Sequence, residues 1–159
     1  MNICTHASVV VRGVSPDAVF DYATSAEAAS EFFQGFGPIP AIRKIEFLPG
    51  SGPRVGGRRQ VLLADGTALE EEILELQPPA RHSYRVSGFR PPLSLLAKSG
   101  KGTWDFSSRP EGTGITWHYA YHLASPLAWP LGAVLVKLFM RGAMRRALGR
   151  IAARFEGRT

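Results

Sequence analysis

A single cysteine, Cys4, stands among 159 residues. No internal disulfide can form, and such a composition fits a reducing cytoplasm. The apolar stretch from Leu127 to Met140 is shorter than the ~20 residues a bilayer-spanning helix needs. Met1-Asn2-Ile3-Cys4-Thr5-His6 has no basic cluster and no long apolar run, so a secretory signal is not expected. Glycine-rich phosphate loops, zinc-ligand spacing and the nucleophile elbow are all missing. No cofactor, metal or catalytic residue is therefore expected from motifs. His118 and His122 share a strand face, but at ~3.3 Å per residue they lie ~13 Å apart, too far to chelate one ion at ~2.1 Å. They read as exposed outer-face histidines.

Net charge is also missing from most of the chain. The sum is +6, yet residues 1–136 hold 12 basic and 12 acidic side chains. Lys137, Arg141, Arg145, Arg146, Arg150, Arg154 and Arg158 face only Glu156 in the remainder. The body is thus no general polyanion binder, and nucleic acid is not an expected partner.

What is present reads as one domain over residues 1–159. His6 to Val11 forms a first strand. Ser15-Pro16-Asp17 starts a helix, with Ser15 as N-cap and Pro16 in its first turn. Thr24-Ser25-Ala26-Glu27 offers a capping box for a second short helix carrying Phe32 and Phe33. Six strand-like runs follow, about 42–48, 57–63, 67–76, 82–87, 101–107 and 115–124. With no helix between them they imply an antiparallel meander. Leu93–Leu96 lies in a longer connection. From about 126 to 156 the pattern is helical. A helix of that length, ~45 Å, cannot be enclosed by so small a body, so the sheet must curl along it. The fold class is α+β, with a curved seven-stranded antiparallel sheet wrapped around a long C-terminal helix.

One hairpin decides what faces inward. A two-residue Asp65-Gly66 loop and a three-residue Ala64-Asp65-Gly66 loop give opposite registers. The second pairs Leu63 with Thr67 and sorts apolar from polar better. It sets Arg59 opposite Glu71 on the concave face, with Val61, Leu69 and Ile73. Such a pair serves as a polar anchor for a ligand head group, as a structural ion pair, or as a pair at a wet rim. Tyr84 with Val86, Trp104 with Phe106, and Ile115, Trp117, Tyr119 and Tyr121 form aromatic sets expected to point at the helix. The expected cavity residues are Arg59, Val61, Glu71, Ile73, Tyr84, Trp104, Phe106, Trp117 and Tyr119, facing Val136, Met140 and Met144 of the helix.

The helix has two halves. Met140, Met144, Ala147, Leu148, Ile151 and Phe155 form one apolar stripe, with arginines opposite. In the first half Leu131, Val134, Leu135, Leu138 and Phe139 project where the arginines later sit. That half needs cover from Leu93–Leu96, a second subunit, a ligand or a membrane surface.

Several phrases resemble the START or Bet v 1-like (SRPBCC) superfamily in its polyketide cyclase and lipid-transport branch. They are the opening helix Val14 to Tyr22; Gly57-Arg58-Arg59-Gln60-Val61; Asp65-Gly66; Glu71-Glu72-Ile73; Pro78 to Tyr84; and Gly112 to Trp117. The resemblance implies a helix-grip fold with a cavity between sheet and helix, and an inner arginine and glutamate matching Arg59 and Glu71. It does not fix a reaction. The expected function is binding or transport of a hydrophobic small molecule or lipid by a cytoplasmic protein. The alternatives are a cyclase or dehydratase-like enzyme, with Arg59, Glu71 and Tyr119 or Tyr84 acting on an enol oxygen, and a protein that meets a membrane or partner through its C-terminal helix. Oligomerisation would use Leu131, Leu135, Leu138 and Phe139.

Overall fold

A computed structural model describes residues 1–157. Strand β1 (Asn2–Arg12) leads into two short helices, α1 (Pro16–Ala23) and α2 (Ala29–Phe32). Strands β2 (Ile42–Phe47), β3 (Arg58–Leu63), β4 (Ala68–Gln77) and β5 (Arg81–Ser87) follow. After the one-turn helix α3 (Leu93–Leu96) come β6 (Ala97–Arg109) and β7 (Gly112–Leu123). The chain ends in a helix over Pro126–Glu156. The seven strands form one antiparallel sheet in the order β1-β7-β6-β5-β4-β3-β2.

Ser15 has the extended backbone of an N-cap, with Pro16 starting α1, although its side chain makes no capping bond. The capping box expected from Thr24 does not form, and Ala28, the N-cap of α2, has no side-chain cap. The Thr24 hydroxyl donates back to the Phe20 carbonyl at 2.8 Å, and Ser25 Oγ accepts from the Ala28 N–H at 3.0 Å. Phe33 lies just past the end of α2. The connection at Leu93–Leu96 is helical, and β6 begins four residues before the expected Lys101.

The hairpin between β3 and β4 takes the three-residue loop. Leu63 N–H donates to Thr67 O at 2.9 Å, and Gly66 N–H donates to Leu63 O at 3.0 Å. Gly66 adopts φ +86°, the left-handed conformation glycine accepts at no steric cost. Arg59 therefore opposes Glu71, and Val61 opposes Leu69.

The C-terminal helix changes its winding. A 3-10 turn at Pro126–Ala128 is capped by Ser125 Oγ. An α-helical turn runs over Trp129–Val134, a π-helical segment over Leu135–Met140, and a regular α-helix over Arg141–Glu156. In an α-helix, residues four apart drift around the axis by ~40° per step. The looser π winding offsets that drift, so Ala128, Gly132, Val136, Met140 and Met144 all stay buried. Gly132 lets the helix approach closely, since a Cβ there would lie 3.2 Å from Ile3 Cδ1 and 3.3 Å from Leu123 Cδ2.

The last half of the helix packs on β1. Met144, Ala147, Leu148 and Ile151 are sealed from solvent, and each large apolar side chain so buried contributes ~1.5–3 kcal/mol. The arginine arc opposite is also occupied. The Arg146 guanidinium lies 4.1 Å from the Phe36 ring centroid, and Arg154 lies 4.6 Å from that of Tyr22. Arg154 also pairs with Glu31 at 3.3 Å, and Arg150 donates to the Phe32 carbonyl at 3.4 Å. These contacts clasp α1, α2 and the loop after them to the helix.

Candidate functional site: a cleft between sheet and helix

The inner face of the sheet turns from polar to apolar along its length. At one end Arg59 on β3 donates through Nε to Glu71 Oε2 on β4 at 2.7 Å, and both side chains are buried. The cross-strand register places them face to face, and the mutual bond satisfies two groups that would be costly to bury alone. Next to them stands His82. It shares the inner face with Tyr84 and Val86 on β5 because residues two apart point the same way. His82 is 2 % exposed, and neither ring nitrogen has a hydrogen-bond partner. Burial, then the charge of Arg59, pulls its pKa down to about 4, so the imidazole is neutral at neutral pH. An unsatisfied buried polar group costs about 1–3 kcal/mol.

Aromatic rings floor this end. Trp104 and Trp117 are directly opposed on β6 and β7 and stack at 4.2 Å, with Phe32 edge-on to Trp104 and Phe33 edge-on to Trp117. Trp117 is buried as well, with its indole N–H turned to the Tyr84 hydroxyl. Burial, then the Glu71 carboxylate, drives the Tyr84 pKa upward. Burial, then its tyrosine neighbours and Glu71, does the same for Tyr119. Both phenols therefore stay protonated.

Three spaces run along this face. The first, about 40 Å³, is bordered by Arg59, Glu71, His82, Tyr84, Trp104 and Trp117. The second, about 110 Å³, is bordered by Glu71, Tyr84, Tyr119, Tyr121, Leu69 and Met140. The two share Phe33, Ile42, Glu71, Tyr84 and Trp117. The third, about 400 Å³, lies among the Pro38–Pro40 loop, the tip of the β3–β4 hairpin, the segment 90–96 and Leu131, Val134, Leu135 and Phe139 of the helix. It shares Ile39, Pro40, Leu63, Leu69 and Leu93 with the second. Its size falls in the ~300–1,000 Å³ range of small-molecule sites.

Two glycines keep the middle open. Tyr84 on β5 and Tyr119 on β7 both pair with Gly102 on β6. A methyl group on Gly102 would overlap the Tyr84 ring, and one on Gly100 would meet Tyr119 Cε1 at 2.8 Å. The tyrosine rings therefore lie over the bare backbone of β6.

Of the residues expected to form the cavity, Arg59, Glu71, Tyr84, Trp104 and Trp117 come together at the inner end. Val61, Tyr119 and Met140 border the middle. Ile73, Phe106, Val136 and Met144 are buried but border none of these three spaces. His82 is the residue that sequence reasoning passed over, although the alternation that placed Tyr84 and Val86 inward also places it there. Among the described residues, no three His, Cys, Asp or Glu side chains are grouped to hold a metal ion.

The apolar first half of the helix divides in two. Leu131, Val134, Leu135 and Phe139 border the cleft, and Phe139 packs on the Phe36 ring at 5.9 Å. Leu127, Leu131 and Leu138 stand 92 %, 62 % and 58 % exposed, with Val134 and Trp129 beside them. By length and composition the full helix Pro126–Glu156 is apolar enough to cross a membrane. Its last half, however, supplies the core stripe under the sheet.

A curved antiparallel sheet gripping one long helix, with a cleft between them, is the helix-grip architecture of Bet v 1-like proteins. The profile of the polyketide cyclase / dehydrase and lipid transport family matches residues 2–156, and the chain belongs to that family. No curated protein matches the sequence. Among solved structures, protein MLL2253 from Mesorhizobium loti is similar with a TM-score of 0.71 at 13% identity, over 100% of this chain and 99% of that one. The di-domain ARO/CYC BexL from the BE-7585A biosynthetic pathway gives 0.70 at 19% identity, over 99% of this chain and 51% of that one. This chain thus spans about half of BexL. Ginseng major latex-like protein 151 from Panax ginseng gives 0.67 at 13% identity, over 97% of each chain. At these identities the likeness is one of fold.

Proposed function

We propose that the protein binds, and carries, a hydrophobic small molecule or lipid between its sheet and its C-terminal helix. The observation that supports this most is the unbroken sequence of shared walls, from the buried Arg59–Glu71 pair to the apolar cleft of about 400 Å³ beside the helix. Family membership agrees with it. Native mass spectrometry of the purified protein after incubation with a total lipid extract tests the reading. A stoichiometric small-molecule adduct is expected, together with a fluorescence rise from N-phenyl-1-naphthylamine. Absence of both would sink the proposal.

A second reading concerns delivery. Leu127, Leu131 and Leu138 are exposed beside the wide cleft, with Lys137 among them. An apolar ridge with basic neighbours suits an anionic bilayer surface, so we propose a cytoplasmic protein that touches membranes peripherally. Cosedimentation with phosphatidylserine vesicles is expected to drop several-fold in a Leu127→Ser/Leu138→Ser variant, and unchanged cosedimentation rejects this reading. The cyclase or dehydratase alternative draws on Glu71, Tyr84 and Tyr119 meeting at one space. It requires turnover of a poly-β-ketone substrate that a Tyr119→Phe change slows.

A further inference from the structure

The first space contains a recognition group that holding an oily molecule does not require. We infer that His82 receives the hydroxyl of an otherwise apolar ligand, which enters hydroxyl-first. The inference rests on the cleft being a ligand site and names the chemistry of that ligand.

Three observations narrow the class. The first is hydrogen-bonding capacity. A neutral imidazole has one N–H donor and one acceptor nitrogen, and both nitrogens of His82 are buried without partners. The indole N–H of Trp117, which borders the same space, is turned to the Tyr84 hydroxyl, so His82 is the group there that lacks a partner. A hydroxyl donates once and accepts twice, so it can give its proton to His82 and take one from a neighbour. An ether or a ketone cannot give a proton.

The second observation is charge. Arg59 and Glu71 are engaged with each other at 2.7 Å, so the wall sums to zero. Burial and Arg59 hold His82 neutral, with its pKa down to about 4. A carboxylate arriving here would be a second anion beside Glu71, facing a guanidinium already paired. An ammonium group would be a second cation beside Arg59. Neither ion would be compensated, and an uncompensated buried charge is strongly disfavoured.

The third observation is size. The space beside His82 is about 40 Å³, more than the ~10–15 Å³ that a single water needs. A hydroxyl and the carbon that bears it fit there. The apolar body of the ligand then lies against Tyr84, Tyr119 and Met140 in the next space. Phenols and alcohols with a compact apolar body meet all three conditions, and fatty acids and phospholipids entering head-first do not.

Displacement of bound N-phenyl-1-naphthylamine by 2-naphthol, 2-methylnaphthalene and 2-naphthoate tests the inference. These probes share one ring system and differ only in the substituent. One good hydrogen bond to a buried group corresponds to ~10-fold in affinity. In the native protein 2-naphthol is expected to bind about that much more tightly than 2-methylnaphthalene, with 2-naphthoate weakest. In His82→Leu the first two should become equal while 2-methylnaphthalene keeps its native affinity. Equal binding in the native protein, a preference that survives in His82→Leu, or 2-naphthoate binding best would each overturn the inference and leave the cavity reading standing. Failure of the fluorescent probe and all three ligands to bind would remove the cavity reading itself. Should His82→Leu not fold, the ring ¹⁵N shifts of His82 in the native protein serve instead. A change on adding 2-naphthol that 2-methylnaphthalene does not produce is expected, and identical shifts with both would refute the assignment.

Discussion

The C-terminal helix meets the sheet in two ways. Against β1 its surface is built from small and close-fitting side chains, with Ala143, Met144, Ala147, Leu148 and Ile151 excluded from solvent. Facing the β3–β4 hairpin it presents Leu131, Val134, Leu135 and Phe139 to a cleft. One side is closed by complementary packing, as a protein interior is. The other is held apart by bulky residues and by the loop at Pro38–Pro40. The contrast teaches that a single helix can be a structural strut along one half and the wall of a site along the other. The two halves should then respond differently to the same kind of substitution.

The largest effect is expected on the open side, at its buried charge pair. Glu71→Ala leaves the Arg59 guanidinium buried without its partner and should cost about 3–5 kcal/mol in urea denaturation. The double change Arg59→Met/Glu71→Leu should recover most of that loss. If single and double variants are equally unstable, the pair does more than satisfy itself. On the closed side, Leu148→Ala should cost about 2–5 kcal/mol through the lost apolar contact and the cavity left behind. A much smaller loss would mean that the closed side is less tightly packed than its burial implies.

Acid should find the open side next. His82 titrates near 6.5 when unfolded and at about 4 when folded. Between those values the unfolded chain takes up a proton that the folded chain refuses. Stability therefore falls as pH drops from 6.5 toward 4, while above 6.5 this group has no effect. The full loss is on the order of 3 kcal/mol, and His82→Leu should flatten that part of the stability profile. The smallest effect is expected at the exposed ridge, where Leu138→Ser should change stability by no more than ~0.5 kcal/mol. A large loss there would show that the first half of the helix is packed after all, and the contrast between halves would fail.

Much of this architecture is legible in the sequence because it is periodic. Strand alternation locates Trp104, Trp117 and Tyr119 on the inner face, and the Ala64-Asp65-Gly66 turn selects the register that pairs Arg59 with Glu71. The features that escaped depend on contacts between distant segments. Thr24 is a local exception, since its hydroxyl bonds back to the Phe20 carbonyl four residues earlier. The π segment at Leu135–Met140 reflects the fit of the helix against β1, not the propensity of its residues. Arginines that look free on a helical wheel are spent on Phe36, Tyr22 and the Phe32 carbonyl. His82 differs again. Its face follows from alternation, but its lack of partners is a property of everything around it.

Gly100 and Gly102 border none of the spaces described, yet they act as the gauge of the chamber. Tyrosines on the strands to either side recline into the room those two missing side chains provide. A methyl group added there would leave the composition of the lining unchanged and tilt the rings inward, narrowing the bore from behind. The girth of molecule this protein admits is thus written on two residues the molecule never touches, and a change of clientele could begin where there is no side chain to alter.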